Sequence, residues 1–253
     1  MQFYAAVYTF SKCVENHVGM QKIGVKGQEL DETDFEAFGQ HFEKVKTINL
    51  GHGATIMVIP GGLPKWANPD ALLSELKGVT HDVKAKMRGR VVNKRMRHNF
   101  NVADVKQETQ CEEGKGTVHD FEEMPELKKV REGIFKILPL KGKPLAEANV
   151  YYSANTGIGY HGDAERNIVI GANLGDQRTI MWQEYHRFEP VGEPFRLKLE
   201  HGDMYLMNAK AAGTDWRKST IHTYRHRAGD EKYLIENDKV VKRMKRKRER
   251  AKH

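Results

Sequence analysis

At 253 residues, with 39% hydrophobic and 30% charged side chains, the chain can bury a sizeable core, and no apolar run in it approaches the length of a bilayer span. Its two cysteines, Cys13 and Cys111, exclude a disulfide scaffold and fit a reducing compartment. Cytoplasm or nucleus is therefore expected, with no membrane partner and no signal peptide. The net charge is +8, and the end of the chain carries much of it: Lys242 to Lys252 holds eight basic residues against one acidic. Such a run binds polyanions by releasing counterions or serves as a nuclear address, with a solvated helical tail as the alternative.

In chain order, Phe3 to Phe10 alternates as a strand. Phe35, Phe38, Phe42 and Val45 have helical spacing within 30–45, and Ala54 to Ile59 is an apolar strand between glycine-rich loops. Asn68-Pro69-Asp70 opens a helix through Leu72, Leu73 and Leu76, which Gly78 ends. Residues 84–99 carry seven lysines or arginines. They form either an exposed polar edge over buried Val91 and Val92 or a phosphate-binding surface. Residues 107–120 read as a loop. Leu127, Val130, Ile134 and Leu138 share one helical face, expected to pack on a sheet. From Asn149 onward come eight short segments with turn signals between them: 149–153, 158–162, 167–174, 178–183, 195–200, 203–208, 219–225 and 231–236. Eight short strands predict a double-sheet jelly roll, so the fold class expected is α+β, with helices flanking one face. The boundaries expected are an N-terminal α/β extension over 1–83, a core over 84–236 and a basic tail over 237–253.

Within the core, His161-Gly162-Asp163 places an imidazole and a carboxylate two residues apart, on one side of a strand. His222 follows 59 positions after Asp163, and two imidazoles with one carboxylate form a facial set for ferrous iron that leaves positions open. A plain hydrogen-bonded strand end is the competing reading of the pair. His226 is the rival for the distal position, and His201, beside Gly202-Asp203, sits in a turn. His41 and His52 are read as surface residues.

Taken together, Asn149-x-Tyr151, Ile158-Gly159-x-His161-x-Asp163-x-Glu165, Leu174-Gly175-x-x-Arg178, Gly202-Asp203-x-x-x-Met207-Asn208 and His222 resemble the AlkB-like branch of the 2-oxoglutarate and Fe(II)-dependent dioxygenases. The resemblance implies a double-stranded β-helix, with Fe(II), 2-oxoglutarate and O2 as cofactor and co-substrates. It implies His161, Asp163 and His222 as catalytic metal ligands, and Asn149 and Tyr151 as groups hydrogen-bonding 2-oxoglutarate. Glu165 would read an exocyclic amine, Arg178 would line the substrate side, and Arg95 and Arg97 of the basic run, with Arg90 and Lys94, would contact phosphates. Where that branch has an arginine for the distal carboxylate of 2-oxoglutarate, this chain has Lys232, a spacing that resembles prolyl hydroxylases; Arg225 and Arg227 are its substitutes. Trp182 either stacks on substrate or fills core. The activity implied is oxidative demethylation of alkylated bases in DNA or RNA, with a protein or amino-acid hydroxylase as one alternative and a non-catalytic nucleic-acid-binding module as another.

Overall fold

The computed structural model describes residues 4–15 and 19–229. In order, the strands of the N-terminal part are β1 (Ala5–Ser11), β2 (Cys13–Glu15), β3 (Lys22–Gly24), β4 (Lys46–Gly51), β5 (Ala54–Ile59), β6 (Lys84–Met87), β7 (Arg90–Asn93), β8 (His98–Ala103) and β9 (Val118–Asp120). Those of the C-terminal part are β10 (Leu145–Tyr151), β11 (Ile158–His161), β12 (Ile168–Gly175), β13 (Arg178–His186), β14 (Glu189–Leu199), β15 (Met204–Asn208) and β16 (Thr223–Ala228). The helices are α1 (Glu32–Gly39), α2 (Pro69–Lys77), α3 (Pro125–Ile137) and the single turn α4 (Ala209–Ala212).

The protein is mostly β-sheet with few helices, arranged like a jelly roll. An eight-stranded sheet runs β4-β5-β15-β12-β1-β10-β8-β9, and a four-stranded sheet runs β11-β16-β13-β14. Period-two alternation divides the large sheet into two faces. Ala6, Tyr8 and Phe10 of β1, with Ala146, Ala148 and Val150 of β10, turn to one side, where Phe35 and Phe38 of α1, Leu72 and Leu76 of α2, and Leu127, Val130 and Ile134 of α3 cover them. Val7, Tyr151, Val169, Tyr205 and Met207 turn to the other, against Ile180, Trp182 and Tyr224 of the small sheet. Trp182 fills this inner core, its indole N–H donating to the Met207 sulfur at 3.1 Å.

The helices form where their ends are satisfied. Asp31 and Asp34 make a reciprocal capping box on α1, and the Asn68 side chain accepts from the Asp70 and Ala71 amides at the start of α2. The helix expected over 30–45 stops at Gly39, and Phe42 beyond it still packs edge-on against Trp66.

Within the N-terminal part, β1 and β5 lie inside the large sheet. Every residue of β1 is buried, and the strand is paired on both edges, with β10 and with β12. A seven-residue strand buried on both faces has no stable place at a sheet edge, so the N-terminus supplies a central strand. β5 likewise pairs with β15 inside the large sheet. The last expected strand, 231–236, and the tail lie outside the described residues.

Candidate metal centre

Strand β11 ends at His161, and its partner residue on β16 is His226. Asp163 follows two residues later. His161 Nε2 lies 3.6 Å from Asp163 Oδ1, and His226 Nε2 lies 3.8 Å from Asp163 Oδ2. The ligand atoms of all three fall within 4.8 Å of one another. They line a cavity of about 50 Å³ between the sheets, with Thr9, Tyr151, Arg166 and Tyr205 among its walls. A larger groove, about 710 Å³ beside Trp66 and α3, shares no residue with this cavity. The donor chemistry fits a metal. The Gly159 carbonyl, 2.8 Å from His161 Nδ1, can only accept, so Nδ1 carries the proton and Nε2 keeps its lone pair.

Local packing fixes the bend between the two expected ligands. The Asp163 amide donates to the Ala212 carbonyl in α4 at 2.9 Å, and the Thr214 hydroxyl donates to the Arg166 carbonyl at 2.6 Å. Gly162 lies so close to this segment that an added Cβ would stand 2.5 Å from both the Gly213 oxygen and Trp216 Cδ1. The stretch 209–218, which carries no motif of its own, thus clamps the ligand loop.

The charges around the site are buried as a network. Arg166, itself buried, donates to Glu147 and reaches Asp163 Oδ2 at 3.4 Å. Burial alone would push the Asp163 carboxyl up, but Arg166 foremost, then His226, His161 and Arg97, holds it below the ordinary aspartate value. For His226, burial and then the neighbouring His161 push the pKa down to about 3, so its ring is neutral and able to bind a metal at neutral pH.

Comparison with known families gives this geometry its context. The family model described as the 2OG-Fe(II) oxygenase superfamily matches residues 55–248. The chain belongs to that superfamily. It is also 36% identical over 244 residues to Uncharacterized protein R156 of Acanthamoeba polyphaga mimivirus, an alignment covering 89% of this chain and 96% of the viral protein. The protein is thus a 2-oxoglutarate-dependent dioxygenase of a family that uses Fe(II), 2-oxoglutarate and O2.

Against that background, the residues singled out in the sequence divide. His161 and Asp163 come together as expected. His222 does not join them. It precedes β16, four residues from His226 and so on the order of 13 Å away along an extended chain. Its ring bonds to Glu184 and stacks on His52 and His186. The dioxygenase instead brings in His226, a choice set by strand register that spacing alone does not reveal. Tyr151 lines the cavity, while Asn149, buried on the same face of β10, accepts a hydrogen bond from Arg97 Nε.

Arg178 is buried at the start of β13 with its guanidinium 3.3 Å from the Tyr151 ring centre. Glu165 lies 3.9 Å from both Lys22 and Arg166, an acidic partner of basic groups. Arg95 is exposed, but Lys94 is buried with its ammonium on Asn99, where desolvation first of all lowers its pKa to about 8, so it is no surface phosphate contact. Arg227 is buried over Tyr160, and Arg225 packs on Tyr185 and Trp216. Lys232 lies outside the described residues. Arg166 and Glu147, an ion pair buried beside the site, belong to no motif. Glu147 leaves a trace as a charge within the otherwise largely apolar β10, whereas Arg166 lies in the polar turn before β12 and leaves none.

Proposed function

We propose that His161, Asp163 and His226 hold the ferrous iron, that Arg178 beside Tyr151 receives the distal carboxylate of 2-oxoglutarate, and that the substrate is nucleic acid carrying an alkylated base. The strand order β11-β16-β13-β14 facing the larger sheet supports a double-stranded β-helix, with the iron residues at one mouth. A buried carboxylate needs a buried cation, and Arg178 has the required burial next to a cavity-lining ring. Lys232 remains its competitor for this task.

The observation that carries the substrate class is the β6–β7 hairpin. It exposes Lys84, Arg88 and Arg90, with Arg95 just beyond, and leads into Arg97, which is bonded to Asn149 on the strand that also carries Tyr151. Exposed guanidinium and ammonium groups on an edge leading to the site suit phosphate contacts that position a strand while one base enters the mouth. When bound, iron and 2-oxoglutarate supply O2-dependent hydroxylation with release of succinate and CO2, and an N-methyl group so hydroxylated leaves as formaldehyde. Arg166 keeps Asp163 ionised, Gly162 and the 209–218 clamp set the angle between His161 and Asp163, and the inner core excludes bulk water.

The test is succinate formation by Fe(II)-loaded protein with methylated single- and double-stranded oligonucleotides, beside His226→Ala and an Arg88→Glu/Arg90→Glu pair. Stimulation by a methylated oligonucleotide is expected, abolished by the first variant and weakened by the second in a salt-dependent manner. Turnover stimulated by a peptide and indifferent to every oligonucleotide sinks the substrate assignment and leaves a protein hydroxylase.

A further inference from the structure

Away from the iron residues, a second set of metal-ligating side chains converges where the two sheets meet. His52 stands at the tip of the β4–β5 hairpin of the large sheet, Glu184 and His186 are near the end of β13 in the small sheet, and His222 leads into β16. His52 Nε2 lies 3.3 Å from Glu184 Oε1, and His222 Nδ1 meets the same oxygen. The ligand atoms of His52, Glu184 and His222 lie within 4.8 Å of one another. The His52 and His222 rings are 4.1 Å apart and 10° from parallel, and His186 lies on the other face of His222 at 4.5 Å and 6°.

We propose that His52, Glu184 and His222 form a three-residue binding site for a zinc-type divalent metal that ties the β4–β5 hairpin to the small sheet. Imidazole nitrogen with one carboxylate and no thiolate selects Zn2+ and its neighbours over Ca2+, Mg2+ or Cu(I). Tetrahedral zinc with bonds of about 2.0–2.1 Å needs donor atoms roughly 3.4 Å apart, close to the 3.3 Å between His52 Nε2 and Glu184 Oε1. His52 holds a left-handed backbone, φ +51°, between Gly51 and Gly53. That conformation favours glycine or asparagine, and in exchange it sets an imidazole on Glu184. The nearby ammonium of Lys210 is neutralised by Asp215 at 2.6 Å, so it does not oppose a cation here. No residue is shared with the His161, Asp163 and His226 group, so the site stands independently of the iron assignment.

The experiment uses the full-length chain with His161→Ala, which disables the first group through a half-exposed residue. Zn2+ is titrated by calorimetry into this protein, and into the same protein with His52→Gly or Glu184→Gln added, with thermal melting in parallel. His52→Gly suits the left-handed backbone, so folding is preserved. The expected result is one zinc per chain in His161→Ala, binding at least tenfold weaker once His52 or Glu184 is changed, and a zinc-dependent rise in Tm that disappears with it. Zinc bound equally by His161→Ala and His161→Ala/His52→Gly, or by neither, overturns the proposal.

Discussion

The Arg166 side chain offers the sharpest test of how the site is built. It is buried, its guanidinium donates to Glu147, it lies 3.4 Å from Asp163 Oδ2, and its Nε donates to the Cys13 carbonyl at 3.1 Å. Arg166→Met keeps much of the volume and removes the charge, leaving Glu147 and Asp163 as buried carboxylates with Arg97, Lys94 and the two histidines nearby. Breaking a buried ion pair from one side costs about 3–5 kcal/mol, because the surviving charge is stranded. Glu147→Gln added to Arg166→Met removes one stranded charge and should recover part of that loss.

The pH dependence has a definite sign. Because the folded-state pKa of Asp163 is lowered, its ionisation contributes stability above the ordinary aspartate pKa of about 3.9, and this contribution is lost as pH falls through the folded value. In Arg166→Met the largest influence lowering that pKa is gone while burial still pushes it up, so the gap between folded and unfolded values narrows and the loss of stability on acidification due to Asp163 should be smaller than in the wild type. Urea unfolding of the metal-free protein from pH 7 to about pH 3 measures both effects. A loss under about 1 kcal/mol at pH 7, with no relief from Glu147→Gln, would refute the argument, since it would mean that solvent already screens the pair.

Three further outcomes follow from the same geometry. Gly162→Ala forces a Cβ to within 2.5 Å of a backbone oxygen and the Trp216 ring, so it should cost about 1–3 kcal/mol by overpacking and weaken Fe(II) binding; an unchanged Tm together with unchanged iron affinity counts against the clamp. His226, pushed down to about 3, is neutral in the fold while the unfolded chain protonates it near its ordinary 6.5, so metal-free protein should lose stability as pH drops from 6.5 toward 3, and His226→Gln should flatten that slope in denaturant titrations. Arg178→Met should raise the KM for 2-oxoglutarate by roughly tenfold or more with Fe(II) binding intact, as expected for the loss of a buried charge-assisted contact, whereas an unaltered KM would return the role to Lys232.

What was legible in the sequence follows the range of the interaction concerned. His161-x-Asp163 is a local pattern: His161 ends β11 and Asp163 follows two residues later, although the contact with Ala212 sets the bend between them. Asn68 capping α2, or the Leu127-Val130-Ile134 face of α3, are local in the same sense, and they appear where their spacing put them. The distal histidine is different. His222 and His226 are both competent donors four positions apart, and the choice rests on β16 pairing with β11 and β13, in register His161↔His226 and Trp182↔His226. Register is fixed by which residues of β16 are buried, and a one-residue slip would turn every side chain over.

The neighbours of the N-terminal strand were hidden for a related reason. Alternation in Phe3 to Phe10 announces a strand but not its neighbours, and the pairing of β1 with β10 and β12 spans more than 130 positions. Its consequence reaches the chemistry. With β1 filling the place between β10 and β12, the cavity wall gains Val7 and Thr9 from the beginning of the chain. That place is closed to any later strand, so a cation for 2-oxoglutarate from strands paired around the cavity has to come from elsewhere in the two sheets. Among the described residues Arg178, at the start of β13 and against Tyr151, meets that condition from the small sheet.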